Sequence, residues 1–251
     1  AAAARAKQLQ AAGVRIRDFS LGEPDFPTPE HVCEAARQAM KAGKTRYTQA
    51  SGTPELRAAV AQLYGGTYGL AVTPEQVLIS NGAKHSLHNA LAGSINPGDE
   101  VIIPTPYWVS YSDLVAMTGG IPVLVPTTME SGFRLTPEAL KAAVTPRTKM
   151  LLLNAPSNPT GAVYSDEIYE RLMFDGREPV CFATLHPDLP GRTITVSGVS
   201  KTYAMTGWRI GWSVAPVPLT KAMGNIQSQQ TSNPCSVSQA AALAAITGEQ
   251  G

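Results

Sequence analysis

Short apolar, β-branched runs recur along the chain, each separated from the next by a stretch whose apolar residues recur at helical spacing. The runs are VLIS (77–80), EVIIP (100–104), PVLVP (122–126), KMLLLN (149–154), TITVSG (193–198) and WRIGWSVA (208–215). Most are continuously apolar rather than alternating, the pattern of strands covered on both faces. The intervening stretches PEHVCEAARQAMKAG (29–43), TPELRAAVAQLYGGTYG (53–69), AKHSLHNALAGSI (83–95), YWVSYSDLVAMTG (107–119) and TPEALKAAV (136–144) predict helices. Thr53-Pro54 and Thr136-Pro137 each place a capping hydroxyl before a proline at the first helical position. Strands alternating with helices predict an α/β fold of three layers, α/β/α, around a mostly parallel central sheet.

One place breaks the rhythm. After KMLLLN comes the loop APSNPTGAVYS (155–165) and then DEIYERLMF (166–174), which reads as a new helix or loop. A parallel sheet needs a crossover of a dozen or more residues before its next strand. None stands here. The N-terminal AAAARAKQLQAAG (1–13) reads as a helix and, lacking an initiator methionine or the layout of a signal peptide, as the interior of a longer chain.

Composition changes this picture little. A net charge of +1 without a lysine or arginine run gives no sign of a nucleic-acid or anionic-membrane partner. No apolar stretch approaches bilayer-spanning length. The three cysteines, Cys33, Cys181 and Cys235, stand far apart without metal-ligand spacing. Neither a disulfide framework nor a metal site is expected, and a reduced, cytoplasmic setting fits best.

Five separated features carry chemistry together. ISNGAKHSL (79–87) ends a strand at Asn81-Gly82 and opens a helix at Ala83-Lys84, where free N–H groups and the helix dipole favour phosphate. NAPSNPTG (154–161) is a turn former that offers the Asn158 side chain at a strand's carboxyl end, the edge where such sheets bind ligands. SDEIYE (165–170) places a carboxylate, Asp166, three residues from a phenol, Tyr169. PYWVSY (106–111) offers flat rings, and SKTYAMTGWRIGW (200–212) holds Lys201 eight residues before Arg209. Each alone has an ordinary structural explanation: a turn, a helix cap, core packing, a surface lysine. Jointly they supply what a phosphorylated pyridine aldehyde needs. That inventory is an amine, an acid for the ring nitrogen, donors to the phenolate oxygen, an aromatic lid and a phosphate cradle with an arginine.

The chain resembles the pyridoxal-phosphate-dependent aminotransferases of the aspartate aminotransferase superfamily, the fold-type-I group. The segments that carry the resemblance are SLGEPDFPTP (20–29), YTQASGTPELRAAV (47–60), NPGDEVIIPTPYWVSY (96–111), NAPSNPTG, DEIYE and SKTYAMTGWRIGW. They stand in the family's order from about residue 14 to the end. The resemblance implies pyridoxal 5′-phosphate as cofactor and transamination between an amino acid, aspartate or glutamate, and a 2-oxo acid. It implies that Lys201 carries the cofactor covalently and shuttles the substrate's proton. Asp166 would pair with the pyridine nitrogen, Asn158 and Tyr169 with the phenolate oxygen, and Trp108 would stack on the ring. The backbone at Ala83 and Lys84 would hold the phosphate with Arg209, and Tyr47 would reach the phosphate of a neighbouring subunit in a homodimer with shared sites. Gly22, Lys84 and Asn158 would meet the substrate, with Lys84 either reading a distal carboxylate or serving only the phosphate. Prephenate aminotransferases, lyases of the same fold and an inactive fragment remain open as alternatives.

The chain also departs from the family. Between Ser165 and Asp166 one α/β repeat, roughly 25–30 residues, is missing, so the two residues are not expected to be neighbours in a complete protein. The segment that supplies an arginine for the substrate's α-carboxylate has no counterpart before the final ITGEQG (246–251). Residues 1–27 are expected to belong to a small domain otherwise largely absent, and residues 28–251 to an incomplete major cofactor-binding domain.

Overall fold

Six strands form where the apolar runs stand, in a computed structural model that describes residues 2–17, 22–162 and 180–249. They are β1 (Val77–Ser80), β2 (Glu100–Thr105), β3 (Ile121–Pro126), β4 (Thr148–Leu151), β5 (Thr195–Gly198) and β6 (Gly211–Val214). The helices are α1 (Ala2–Ala11), α2 (Glu30–Lys41), α3 (Pro54–Tyr68), α4 (Ala83–Ala92), α5 (Ser110–Met117), α6 (Pro137–Ala143), α7 (Val217–Gln230) and α8 (Ser236–Thr247). The expected caps are in place. The Thr53 hydroxyl accepts from the Leu56 N–H at 3.4 Å and the Thr136 hydroxyl from Ala139 at 3.2 Å. α3 stops at Gly69, whose φ of 64° is a left-handed helix end. The expected break between Ser165 and Asp166 lies outside the described residues.

Among the described residues the strands form two three-stranded sheets, ordered β3-β2-β4 and β1-β6-β5. The first is parallel throughout, as the alternation of elements predicts. In the second, β6 runs antiparallel to both neighbours. Its link from β5 contains only a single 3-10 turn, Thr206–Trp208. Without a crossover helix the chain doubles back instead of returning parallel.

β1 and β6 are buried along their whole length, and their side chains alternate between two cores. Val77 and Ile79 join Trp212, Val214, α3 residues Leu56, Val60 and Tyr64, and α8 residues Ala241, Ala242 and Ala245. Leu78, between them, packs instead with Ala90 of α4 and Met223 of α7. Helices therefore cover both faces of this sheet, the three-layer arrangement. Leu56, Leu78 and Ile79 are fully buried, each worth about 1.5–3 kcal/mol of apolar transfer. A third cluster joins Leu91 to Val101 and Ile103 of β2 and to Leu114 and Val115 of α5.

Helices α7 and α8 are additions to the sequence reading, and each sends one fully buried glutamine into the space below residues 48–53. Gln227 donates to the carbonyls of Ala50 (2.6 Å) and Ile79 (2.7 Å) and accepts from Asn89 at 2.9 Å. Gln239 accepts from the Thr53 N–H at 2.8 Å and donates to the Thr48 hydroxyl at 3.1 Å. The segment that follows Tyr47 is thus fixed from beneath.

At the start of β2, Glu100 is only 4% exposed and accepts from Thr145 and from Arg147 Nε at 2.9 Å. The Thr145 hydroxyl first, and then Arg147, hold its carboxyl below the ordinary value of 4.5. A lowered carboxylate stabilises the fold fully above that ordinary value, and the contribution fades as the pH falls through the lowered one. Glu100→Gln should therefore lower the Tm at pH 7, and the gap to wild type should close in acid. Melting curves between pH 7 and pH 3 check this; a gap independent of pH would assign the effect to packing rather than charge.

Candidate functional site

β1 ends at Ser80, and the turn through Asn81-Gly82 delivers the chain into α4. Gly82 has φ 83° and ψ 160°, a conformation essentially reserved for glycine. It offers the helix no side-chain cap, while its carbonyl accepts from His85 (3.0 Å) and Ser86 (3.3 Å). The N–H groups of Ala83 and Lys84 are left at the positive end of the helix dipole. The Arg209 guanidinium lies against this turn. A β-carbon on Gly82 would run into its Nη2 and stand 2.9 Å from its Cζ. Arg209 is itself left-handed, at φ 55°, and its Nη1 donates to the Thr206 carbonyl at 2.9 Å.

Beside this cradle, Lys84 holds its ammonium 4.5 Å from the centre of the Trp108 ring, a cation–π contact. Trp108 in turn meets Tyr111 edge-on, ring centres 5.5 Å apart. A shallow cleft opens at the carboxyl ends of β2 and β4, lined by Tyr107, Tyr111, Phe133, Asn154 and Ser157 among others.

Lys201 opens the connection from β5 to β6, and its Nζ donates to the Gly22 carbonyl. Three more hydrogen bonds fasten the 22–28 segment over this connection. Thr206 donates to Glu23 at 2.8 Å, Thr28 to the Ala204 carbonyl at 2.6 Å, and the Trp208 indole to the Thr28 hydroxyl at 3.1 Å. Sequence reasoning missed Glu23 and Thr206, because nothing local marks a pair 183 residues apart.

The structure thus brings Ala83, Lys84, Trp108 and Arg209 around the start of α4 and Lys201 onto Gly22, with Lys201 and Arg209 on one connection. Among the described residues no carboxylate lies within ion-pair distance of Lys84, Lys201 or Arg209; the recorded pairs are Arg37 with Glu30 and Glu34, Arg147 with Glu100, and His186 with Asp188. Asn158 is exposed in the tight turn after β4, and no contact among the described residues ties it to the other groups. Tyr47 is 90% exposed and points away from the chain's own packing. Asp166 and Tyr169 lie outside the described residues.

A family model for aminotransferase class I and II matches the chain in two stretches, residues 15–165 and 162–251. The chain belongs to the aminotransferase class I and II family. Among curated members it is 49% identical over 267 residues to the aspartate/prephenate aminotransferase of Cereibacter sphaeroides, covering 98% of this chain and 67% of that one. It is 48% identical to an aspartate aminotransferase of Rhizobium meliloti, covering 98% of this chain and 65% of the relative. Solved structures agree. The crystal structure of an aspartate aminotransferase from Rhizobium meliloti superposes with a TM-score of 0.95 at 48% identity, over 99% of this chain and 67% of that one. The Thermus thermophilus aspartate aminotransferase with maleate gives 0.93 at 44%, over 98% and 68%. The chain therefore spans about two thirds of the length of these class I and II aminotransferases. The first alignment runs over 267 positions against a chain of 251 residues, so that relative carries residues that this chain lacks.

Gly82 gives the turn before α4 a direct test. Gly82→Ala should cost about 1–3 kcal/mol from the backbone conformation alone, and should push the guanidinium of Arg209 off the turn. Gly207, which has open space where a β-carbon would stand, is the control, and Gly207→Ala should change little. Urea unfolding of both variants checks this; equal effects would mean that position 82 does not require the glycine conformation.

Proposed function

We propose that the protein is a pyridoxal-phosphate-dependent aminotransferase that passes an amino group from aspartate or glutamate to a 2-oxo acid. The observation that carries this reading is the pair of cations Lys84 and Arg209 at an uncapped helix start, with Lys201 on the connection that delivers Arg209, and no carboxylate partner for any of the three among the described residues. Pyridoxal 5′-phosphate fits the donors present. Its phosphate matches the N–H groups of Ala83 and Lys84 together with Arg209, in the space that a β-carbon on Gly82 would narrow. Its ring matches the flat face of Trp108, and its aldehyde matches the amine of Lys201. When bound, the cofactor supplies an electrophilic carbon for an amine and a ring that draws electron density from the substrate's α-carbon.

The chain's own residues do the rest. Arg209 and the start of α4 anchor, Trp108 orients, and Lys201 Nζ moves the proton at the substrate's α-carbon. The Gly22 backbone, against which that amine rests, helps to seat the α-carboxylate. Asn158 and Tyr169 serve the phenolate oxygen, Asn158 also meeting the substrate, and Asp166 keeps the ring nitrogen protonated. Tyr47, exposed above a segment fixed by Gln227 and Gln239, completes the site of a second subunit in a cytoplasmic homodimer. Residues 1–27 act with the small domain and 28–251 with the major one. The name of the Cereibacter relative pairs aspartate with prephenate, which favours prephenate as an alternative 2-oxo substrate here.

Two experiments test the reading. Borohydride reduction of the chain with pyridoxal 5′-phosphate, followed by peptide mapping, should place the label on Lys201. Lys201→Ala should abolish transamination while still binding the cofactor through its phosphate; wild-type-like turnover in that variant would remove Lys201 from the reaction. For substrate choice, Lys84→Ala should raise KM for aspartate or glutamate by roughly ten- to a hundredfold, the effect of one lost charge-assisted bond, and much less for an uncharged amino acid. Equal losses on both would confine Lys84 to the phosphate.

A further inference from the structure

The first turns of α4 carry two histidines that the reaction does not use. The Asn81 N–H, one residue before Gly82, donates to His85 Nδ1 at 3.3 Å. His85 Nε2 stands 3.0 Å from Gln230 Oε1, at the end of α7, and Gln230 Nε2 stands 3.0 Å from His88 Nε2. One proton arrangement satisfies these three contacts. A backbone N–H can only donate, so His85 Nδ1 accepts and its Nε2 carries the hydrogen toward the Gln230 carbonyl oxygen. The Gln230 amide nitrogen then donates to His88 Nε2, which leaves the His88 hydrogen on Nδ1. His88 Nδ1 is buried and has no partner among the described residues. Burial first, and then His85, hold the His88 ring below the ordinary imidazole value, so it stays neutral at pH 7 as this arrangement requires.

Resting on the functional reading above, we infer that His85, braced by Gln230, is a positioning residue for the phosphate cradle. The Asn81-Gly82 turn decides where the N–H groups of Ala83 and Lys84 point, and Gly82 has no side chain with which to hold itself. His85 reaches back one turn to grip the Ser80–Asn81 peptide through the Asn81 N–H. Gln230 stops the ring from rotating away by tying it to α7, which packs against both α4 and β1. The ring presents an acceptor to one partner and a donor to the other, and a glutamine side chain at position 85 can present the same pair.

The test compares pyridoxal 5′-phosphate with pyridoxal, which lacks the phosphate, by absorbance titration of the 251-residue chain. His85→Leu should weaken binding of the phosphorylated form by about five- to tenfold, the usual weight of one hydrogen bond, and leave pyridoxal unchanged. His85→Gln should restore the loss. Gln230 is exposed, so Gln230→Ala should fold, and it should produce a smaller loss that is again confined to the phosphorylated form. Wild-type affinity in His85→Leu, or equal weakening of both ligands, would overturn the positioning role while leaving the aminotransferase reading standing. A wild-type chain that binds both ligands alike would overturn the cradle, and the positioning role with it.

Discussion

The site depends on one close approach of backbone to backbone. Gly211, the first residue of β6, lies so near the Gly82–Ala83 peptide that a β-carbon there would stand 2.6 Å from the Gly82 carbonyl carbon. Gly198 of β5 repeats the approach on its other side, 2.9 Å from the Gly211 Cα by the same construction. These contacts pull the end of β1, the start of β6 and the end of β5 to one point, where the register pairs Ser80 and Gly198 with Gly211. Arg209 stands two residues before Gly211 and is delivered onto the Gly82 turn by that register. Lys201 follows Gly198 by three residues and leaves the same point. A larger residue at 211 would separate the cradle from the arginine and the lysine together.

Antiparallel β6 is what makes this convergence possible. In a purely parallel sheet, the segments after β1 and after β5 meet at the carboxyl edge, and the segment before β6 starts at the opposite edge. Reversal of β6 brings its amino end to the carboxyl edge, so that Arg209 enters from before a strand while Lys201 enters from after one. The parallel sheet β3-β2-β4 contributes in the ordinary way, through the Trp108 loop after β2. Among the described pairings β4 bonds only to β2 and β5 only to β6. The family match changes stretch between residues 162 and 165, in the part of the chain that runs between those two strands and where the strand–helix rhythm fails.

Much of this was legible in sequence because it is local. VLIS is β1 to the residue, and the Thr-Pro starts of α3 and α6 cap as their chemistry requires. Lys84, Trp108 and Lys201 could be grouped because each follows a strand that an α/β sheet directs to one edge, whereas Arg209 joined them only through the chemical inventory and the resemblance that SKTYAMTGWRIGW carries. Helix α8, SVSQAAALAAIT, escaped because it is apolar nearly all round and has little amphipathic period to detect. The reversal of β6 escaped because strand direction is set by the connection, and the connection after Lys201 has no periodic pattern. Gln227, Gln239, Glu23 and Gln230 escaped for another reason. Their roles exist only through partners more than a hundred residues away in the chain, and no spacing rule reaches that far.

The way the cations are held sets what the site can recognise. Lys201 rests on a carbonyl, Arg209 on another carbonyl and Lys84 on an aromatic face. All three acceptors are neutral, so they orient the charges without cancelling them. Glu23 accepts from the Thr206 hydroxyl rather than from a cation. Contrast Glu100 and Arg147, where opposite charges meet and the field closes on itself. A net charge of only +1 over the whole chain means that this positive field is a local arrangement and not a property of the surface at large. Local, and uncancelled among the described residues, it is suited to a small anionic ligand.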